Sequence, residues 1–204
     1  MRFRLAARNI LITLCFLAST SPALAQQEAS SRVVETFQQH LLAVMKEAKL
    51  LSVKQRYDRL RPPIEAAFFV PMMLGITTGP YWKTTSPEQK SRLADAFNRK
   101  NISTVATLFD GYSGQKFEIL ADKAAPQNTR LVETRIVNPD GSDVSLDYRV
   151  LRIRGQWRII DVIVDDGISE MSVRRSEFRE ILKTQGIEGL ISTLSNKADE
   201  LLAE

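Results

Sequence analysis

The sequence predicts an α+β fold in which helices pack on one face of a curved antiparallel sheet of about four strands and enclose an apolar cavity. The first observation is a helical spacing of apolar residues, at steps of three and four, in the N-terminal half and again near the C-terminus. The second is an alternation of apolar and polar residues between those regions. Because the strands form one block instead of alternating with helices, the order favours α+β over a parallel α/β sheet.

The N-terminal helices are predicted from apolar spacing and from prolines. The spacing predicts a first helix over Ser31–Leu51. Ser52 can cap a second, shorter helix, which we expect Pro62–Pro63 to end. A third short helix is predicted over Ile64–Val70, with Pro71 as its stop.

Two further helical regions carry clear boundary signals. Ser86–Gln89 reads "SPEQ", an N-cap serine followed by proline and by a glutamine that can close a capping box. That helix should run to about Asp110, with Gly111 as its stop. After the strands the chain returns to helix, and we expect one helix to end at Gly186 and a last one to cover Ile187–Glu204.

The strand block begins after Gly114, where the period changes to two. The predicted strands are Lys116–Leu120, Arg130–Asn138, Asp143–Ile153 and Gln156–Val164. The last two form a hairpin, for which a Gly155-Gln156 turn of type II′ is expected. Apolar residues change face near Val150, which predicts a bend in the sheet.

The N-terminus predicts a cleaved secretory signal peptide over residues 1–25 and a single domain over residues 26–204. Three arginines precede a short apolar stretch, Ile10–Ala18, which is followed by the small-residue cleavage site Ala23–Ala25. A membrane anchor is the alternative, but spanning a bilayer needs roughly 20 apolar residues. In a Gram-negative source, the mature protein would lie in the periplasm.

Composition excludes several classes of function for the mature chain. Cleavage of the leader removes three arginines, which leaves 25 basic and 24 acidic residues in the mature chain. Because this chain has almost no excess of positive charge, no nucleic-acid partner is expected. Cys15 leaves with the leader, which excludes disulfides and thiolate chemistry. A lone histidine, His40, has no second imidazole or thiol beside which to hold a metal, so no cofactor is expected.

An enzyme remains one alternative. Asp147 and Asp161 lie within the predicted hairpin and could face a cavity between helices and sheet. A carboxylate in such an apolar pocket has a raised pKa and can act as a general base.

The segment Phe68–Trp82, "FFVPMMLGITTGPYW", contains fifteen uncharged residues and is broken by two prolines and two glycines. It is too short and too interrupted to cross a bilayer. It can be a buried part of the core or the wall of a cavity. Met72 and Met73 adapt to irregular apolar shapes, and Tyr81 and Trp82 have the polar tips that suit a cavity mouth.

A cavity wall of this kind predicts a lipid carrier, which needs no catalytic group and no cofactor. The candidate lipid-binding residues are Phe69, Met72, Met73, Leu74, Ile76, Tyr81, Trp82, Phe97, Val105, Phe109, Tyr112, Ile136, Leu146, Tyr148, Val150 and Trp157. A ligand-free adaptor between two membrane complexes is the other alternative to an enzyme.

Five pieces of the sequence, in this order and spacing, resemble the MlaC and toluene-tolerance family. They are Tyr81–Gln89, Tyr112–Leu120, Val132–Val137, Asp147–Ser169 and Arg174–Phe178. The stretch "ISEMSVRRSEF" is more similar to the hopanoid-associated HpnM branch.

The resemblance implies a periplasmic protein that carries phospholipid tails in a pocket between helices and a twisted sheet. Tyr81, Trp82, Tyr148, Val150 and Trp157 match wall positions of the family approximately. The implied partners are a phospholipid or hopanoid ligand, an inner-membrane transport complex of the ABC/MCE or RND type, and an outer-membrane complex.

Overall fold

The computed structural model of the protein describes residues 22–165 and 167–203, with side chains described from Ser30 onward. The predicted leader therefore lies largely outside the described residues and stays a prediction. The helices are α1 (Pro22–Glu47), α2 (Val53–Ala67), α3 (Val70–Thr78), α4 (Tyr81–Thr84), α5 (Pro87–Leu108) and α6 (Glu170–Leu202), with a short 3-10 turn at Ala48–Leu50. The strands are β1 (Lys116–Ala125), β2 (Thr129–Val137), β3 (Val144–Ile153), β4 (Gln156–Val164) and β5 (Ile168–Ser169).

The sheet is antiparallel, and its strands follow the order of the sequence from β1 to β5. The α+β prediction is confirmed, and the structure adds the two-residue strand β5 at one edge. The register of β3 and β4 shifts between Arg149 and Val150. This β-bulge lies where the change of apolar face predicted a bend, since a bulge increases local twist and bends the strand.

The β3–β4 turn differs from its prediction. Ile153 pairs with Gln156, so the two turn residues are Arg154 and Gly155. Both have positive φ, +50° and +85°, which defines a type I′ turn. The type II′ prediction was wrong because it placed the turn one residue too far along the chain.

The predicted helix boundaries at the prolines were also wrong. The second helix continues through Pro62–Pro63 to Ala67 and absorbs most of the segment predicted as a separate helix. Burial of Leu60 and Ile64 holds this last part of α2 against the core and outweighs the amide hydrogen bonds that proline lacks. Pro71 lies in the first turn of α3, where the missing N–H is harmless, so it begins a helix instead of stopping one.

The apolar interior divides into two clusters. The first cluster joins α1, α2, the C-terminal part of α5 and the inner face of the sheet, around Phe37 and Tyr148. The second cluster joins α3, α5 and α6, around Phe97 and Phe178. Phe68, in the two-residue break between α2 and α3, packs against both. The uncharged segment therefore carries the chain from one cluster to the other.

Local signals position α5 and α6. Ser86 caps α5 through the predicted capping box, with the Gln89 amide donating to Ser86 Oγ at 3.1 Å. The predicted helix end at Gly186 coincides with a break inside α6, where φ is +66°. In the described part of the chain, no helix is both long and apolar enough to cross a bilayer.

Candidate functional site

A cavity of about 530 Å³ opens between α1, α2 and the β3–β4 turn. We call it the hairpin cavity. Its lining residues are Arg32, Val33, Thr36, Phe37, His40, Pro63, Ala66, Ala67, Gly155, Gln156 and Trp157. The volume falls within the range of about 300–1,000 Å³ that is typical of small-molecule sites.

The inner wall of the hairpin cavity is apolar. Phe37, Ala67 and Trp157 are buried members of the first cluster. Val33 packs against the same cluster from α1, and Pro63 lies half-buried on α2. The cavity is therefore an inlet into the apolar layer between the helices and the sheet, which can accept hydrocarbon.

The outer rim of the hairpin cavity is polar. Arg32, Thr36 and His40 are exposed on α1, and Gln156 is exposed at the start of β4. Arg32 makes no ion pair with any residue that the structure describes. A free guanidinium beside an apolar inlet can bind a phosphate or carboxylate group.

Small residues keep this space open. Ala66 and Ala67 bring only methyl groups from α2, and Gly155 brings no side chain from the turn. Residues three and four apart on a helix share a face, which places Val33, Phe37 and His40 along one side of α1. The cavity therefore follows from a helix face with small neighbours on α2 and the hairpin.

The predicted lipid-binding residues lie in several places in the fold. Seven belong to the first cluster or pack against it: Val105, Phe109, Tyr112, Leu146, Tyr148, Val150 and Trp157. Five belong to the second cluster or pack against it: Met73, Leu74, Ile76, Trp82 and Phe97. Phe69 and Ile136 are half-buried, while Met72 and Tyr81 are exposed.

Among the predicted residues, only Trp157 lines the hairpin cavity. Tyr81 lines a second, smaller pocket. The other residues of the uncharged segment fill the second cluster or lie at its surface. Sequence reasoning missed the α1 and α2 faces of the cavity, although the helical spacing of Val33 and Phe37 was visible.

The two candidate catalytic carboxylates have structural partners. Asp147 accepts a hydrogen bond of 2.9 Å from the Thr134 amide, and burial raises the pKa of its carboxyl. Asp161 accepts bonds from the Ser169 hydroxyl at 2.6 Å and the Met171 amide at 3.1 Å. Asp161 thus joins β4 to the first turn of α6, as a capping carboxylate does. In the described residues no group of three or more potential ligands could hold a metal.

Comparison with known families gives one profile match. The profile described as "MlaC protein" matches residues 35–196. This range begins inside α1 and ends in α6, so it covers the sheet, the second cluster and most of the first cluster.

The relatives that are similar in sequence include two named proteins. One is the intermembrane phospholipid transport system binding protein MlaC of Haemophilus influenzae, which is 26% identical over 194 residues, 93% of this chain and 88% of the relative. The other is toluene tolerance protein ttg2D of Pseudomonas putida, which is 24% identical over 111 residues, 54% of this chain and 51% of the relative.

Solved structures with a similar fold include one that contains a bound phospholipid. It is the phospholipid-binding protein from Ralstonia solanacearum in complex with a phospholipid. The superposition gives a TM-score of 0.75 at 22% identity and covers 86% of this chain and 99% of the other. The likeness extends through helices and sheet and supports the α+β assignment.

Proposed function

Because the chain belongs to the MlaC family, we propose that it carries a phospholipid through the periplasm with an acyl tail in the hairpin cavity. The observation that carries the site assignment is the apolar inlet between α1, α2 and the β3–β4 turn. The relatives named for phospholipid transport or binding support the choice of ligand. None of the relatives reported above is named for hopanoids, so the HpnM assignment stays a prediction.

The carrier mechanism is partition of hydrocarbon between a membrane and a protein interior. Moving an acyl chain out of water is favourable by about 0.8 kcal/mol per CH₂. For a sixteen-carbon tail this transfer free energy is on the order of 12 kcal/mol, so the protein must cover the tail with apolar surface while it crosses water. Phe37, Ala67 and Trp157 begin that surface. Because Phe37 and Trp157 belong to the first cluster, a tail that moves them aside reaches the layer between helices and sheet.

The headgroup stays at the polar rim. Arg32 can donate two parallel hydrogen bonds to a phosphate, and Gln156 is exposed on the other side of the inlet. Exchange then needs only a membrane or a membrane complex that accepts the tail, and no covalent step. An inner-membrane transport complex and an outer-membrane complex are the proposed partners.

Bound lipid is the direct test. The protein is purified without detergent, native mass spectrometry measures its mass, and extracted lipids are identified. We expect a phospholipid at a ratio near one per chain. A protein that remains empty after incubation with phospholipid vesicles contradicts the carrier function and favours the ligand-free adaptor. A hopanoid in the extract instead contradicts the phospholipid assignment and supports the HpnM branch.

A blocking substitution tests the location. Ala66→Trp adds an indole to the cavity wall from a position that is exposed on α2. We expect this variant to fold and to lose most of its bound lipid. Ala43→Trp adds the same indole at an exposed position of α1 that does not line the cavity, and should retain lipid. Equal lipid content in the two variants would place the tail elsewhere.

A further inference from the structure

A second pocket, of about 300 Å³, lies between the α3–α4 connection and α6. We call it the arginine pocket. Its lining residues are Thr77, Thr78, Gly79, Pro80, Tyr81, Arg175, Arg179 and Leu182. It shares no lining residue with the hairpin cavity and borders the second cluster through Leu182.

Two cations without counter-charges line the arginine pocket. Arg175 and Arg179 are four residues apart on α6, so their side chains project from the same face. Neither makes an ion pair or a hydrogen bond within residues 22–165 and 167–203. Their neighbour Arg174 differs, because it pairs with Glu170 at 3.3 Å. The pocket therefore has uncompensated positive charge.

The opposite wall supplies few other donors. The hydroxyls of Thr77 and Thr78 donate to carbonyl groups one turn back in α3, at 3.0 and 2.7 Å. The Gly79 amide donates to the Gly75 carbonyl at 3.2 Å, and Pro80 has no N–H. The hydroxyl of Tyr81, an exposed residue, makes no hydrogen bond with the described residues. The available side-chain donors are thus two guanidinium groups and one phenol.

The backbone of the arginine pocket brings a guanidinium close to the α3–α4 connection. Gly79 has a φ of +57°, which L-residues rarely adopt. A Cβ at this position would lie 3.9 Å from Nη2 of Arg175. Glycine therefore allows the positive φ of this turn. It also places no side chain between the backbone at position 79 and the Arg175 guanidinium.

We propose that the arginine pocket binds a phosphate group through Arg175 and Arg179, with the Tyr81 hydroxyl as a third donor. One guanidinium saturates the two oxygens of a carboxylate. A phosphate has more acceptor oxygens and carries up to two negative charges, so it can accept from two guanidinium groups and a phenol together.

This assignment stands independently of the proposed lipid-carrier function, because its residues lie outside the hairpin cavity. The phosphate can belong to an anionic lipid headgroup at a membrane surface or to a free phosphate ion. Both sources present the same chemistry to the three donors, and they are distinguished by the probe.

The test compares three proteins: wild type, Arg175→Gln/Arg179→Gln, and Lys49→Gln/Lys116→Gln. The lysine variant is the control, because it removes the same amount of positive charge at two exposed residues outside both pockets. Amide chemical shifts are followed while inorganic phosphate, and separately acetate, is added at fixed ionic strength. Flotation measures binding to vesicles of phosphatidylcholine with or without phosphatidylglycerol. Thermal unfolding verifies that each variant is folded.

We expect phosphate to shift the amides of residues 77–79, 81 and 175–182 in wild type and in the lysine control. The arginine variant should bind about tenfold more weakly or not at all. Selective loss of flotation with phosphatidylglycerol vesicles in the arginine variant supports a lipid headgroup as the source. The proposal is overturned if acetate binds as well as phosphate, or if both variants lose binding equally. It is also overturned if neither phosphate nor anionic vesicles bind to wild type through these residues.

Retention of bound lipid separates this proposal from the carrier function. The arginine variant should keep the lipid in the hairpin cavity, while Ala66→Trp should lose that lipid and keep the phosphate-dependent shifts. If Ala66→Trp abolishes both, the arginine pocket is not an independent site and the proposal is overturned.

Discussion

The guanidinium of Arg158 donates a hydrogen bond of 2.8 Å to the carbonyl oxygen of Phe68. The same nitrogen, Nη2, also lies 2.8 Å from the Glu65 carbonyl oxygen. Strand β4 thereby holds the end of α2 at the point where the chain passes between the two clusters. A parallel bridge between Phe68 and Ile159 lies beside this contact. The break between α2 and α3 is thus fixed by the sheet.

Arg158→Ala should lower the free energy of unfolding by about 2 kcal/mol. The substitution leaves the partly buried Phe68 carbonyl and the exposed Glu65 carbonyl without their donor, and a buried acceptor that loses its partner costs about 1–3 kcal/mol. Urea unfolding followed by circular dichroism measures the change. Arg152→Ala, at an exposed position in the same hairpin, is the control and should change stability by less than about 0.5 kcal/mol. Equal effects in the two variants would show that the carbonyl contacts contribute little.

Replacement of Asp161 should lower the stability of the protein without reducing its lipid binding. Asp161→Ala removes the acceptor for the Met171 amide and the Ser169 hydroxyl, and should cost about 1–3 kcal/mol. Bound lipid per folded chain should not change, because Asp161 does not line the hairpin cavity. Urea unfolding and lipid extraction give the two values. A stable variant that had lost its lipid would instead place this carboxylate in the binding site.

Helix starts that depend on residues close together in sequence were predicted correctly. Helix ends that depend on packing against distant parts of the chain were not. The capping box at Ser86 involves residues three apart, so the sequence contains all of it. The continuation of α2 through Pro62–Pro63 depends on burial of Ile64 against other elements. Helix propensity therefore predicted a boundary that tertiary packing removed.

The site was harder to predict for the same reason. Ala66 and Gly155 are separated by almost ninety residues, and a small side chain marks a cavity only when its spatial neighbours are known. The uncharged segment Phe68–Trp82 is conspicuous in the sequence because it contains no charged residue. Met73 and Leu74 within it are buried in the second cluster, which is a structural role.

The lowered pKa of Lys100 predicts that the free energy of unfolding depends on pH. Burial, followed by the nearby charge of Arg174, lowers the pKa of Lys100 from 10.5 to about 8. Between these values the folded protein binds fewer protons than the unfolded chain, so this group makes stability rise with pH. Below pH 8 both states are protonated, and the penalty of the partly buried charge is fully present.

Lys100→Met should therefore raise the free energy of unfolding at pH 7 by about 1 kcal/mol, after allowance for solvent screening of this partly exposed group. The advantage over wild type should shrink as pH rises from 8 towards 10.5. Urea unfolding at several pH values measures the difference. Lys49→Met, at an exposed lysine, should show a difference that does not change with pH. A constant difference for Lys100→Met would contradict the lowered pKa.

The two tryptophans of the chain can report where an acyl tail lies. Trp157 lines the hairpin cavity, whereas Trp82 packs at the second cluster with the Lys90 ammonium 5.1 Å from its ring. Brominated acyl chains quench indole fluorescence only at close range. Delipidated Trp82→Phe, which retains Trp157, should be strongly quenched on loading with brominated phospholipid. Trp157→Phe, which retains Trp82, should be quenched weakly, because its indole contacts a different part of the interior. The reverse pattern would place the tail among α3, α5 and α6, and equal quenching would indicate a tail that spans both clusters past Phe68.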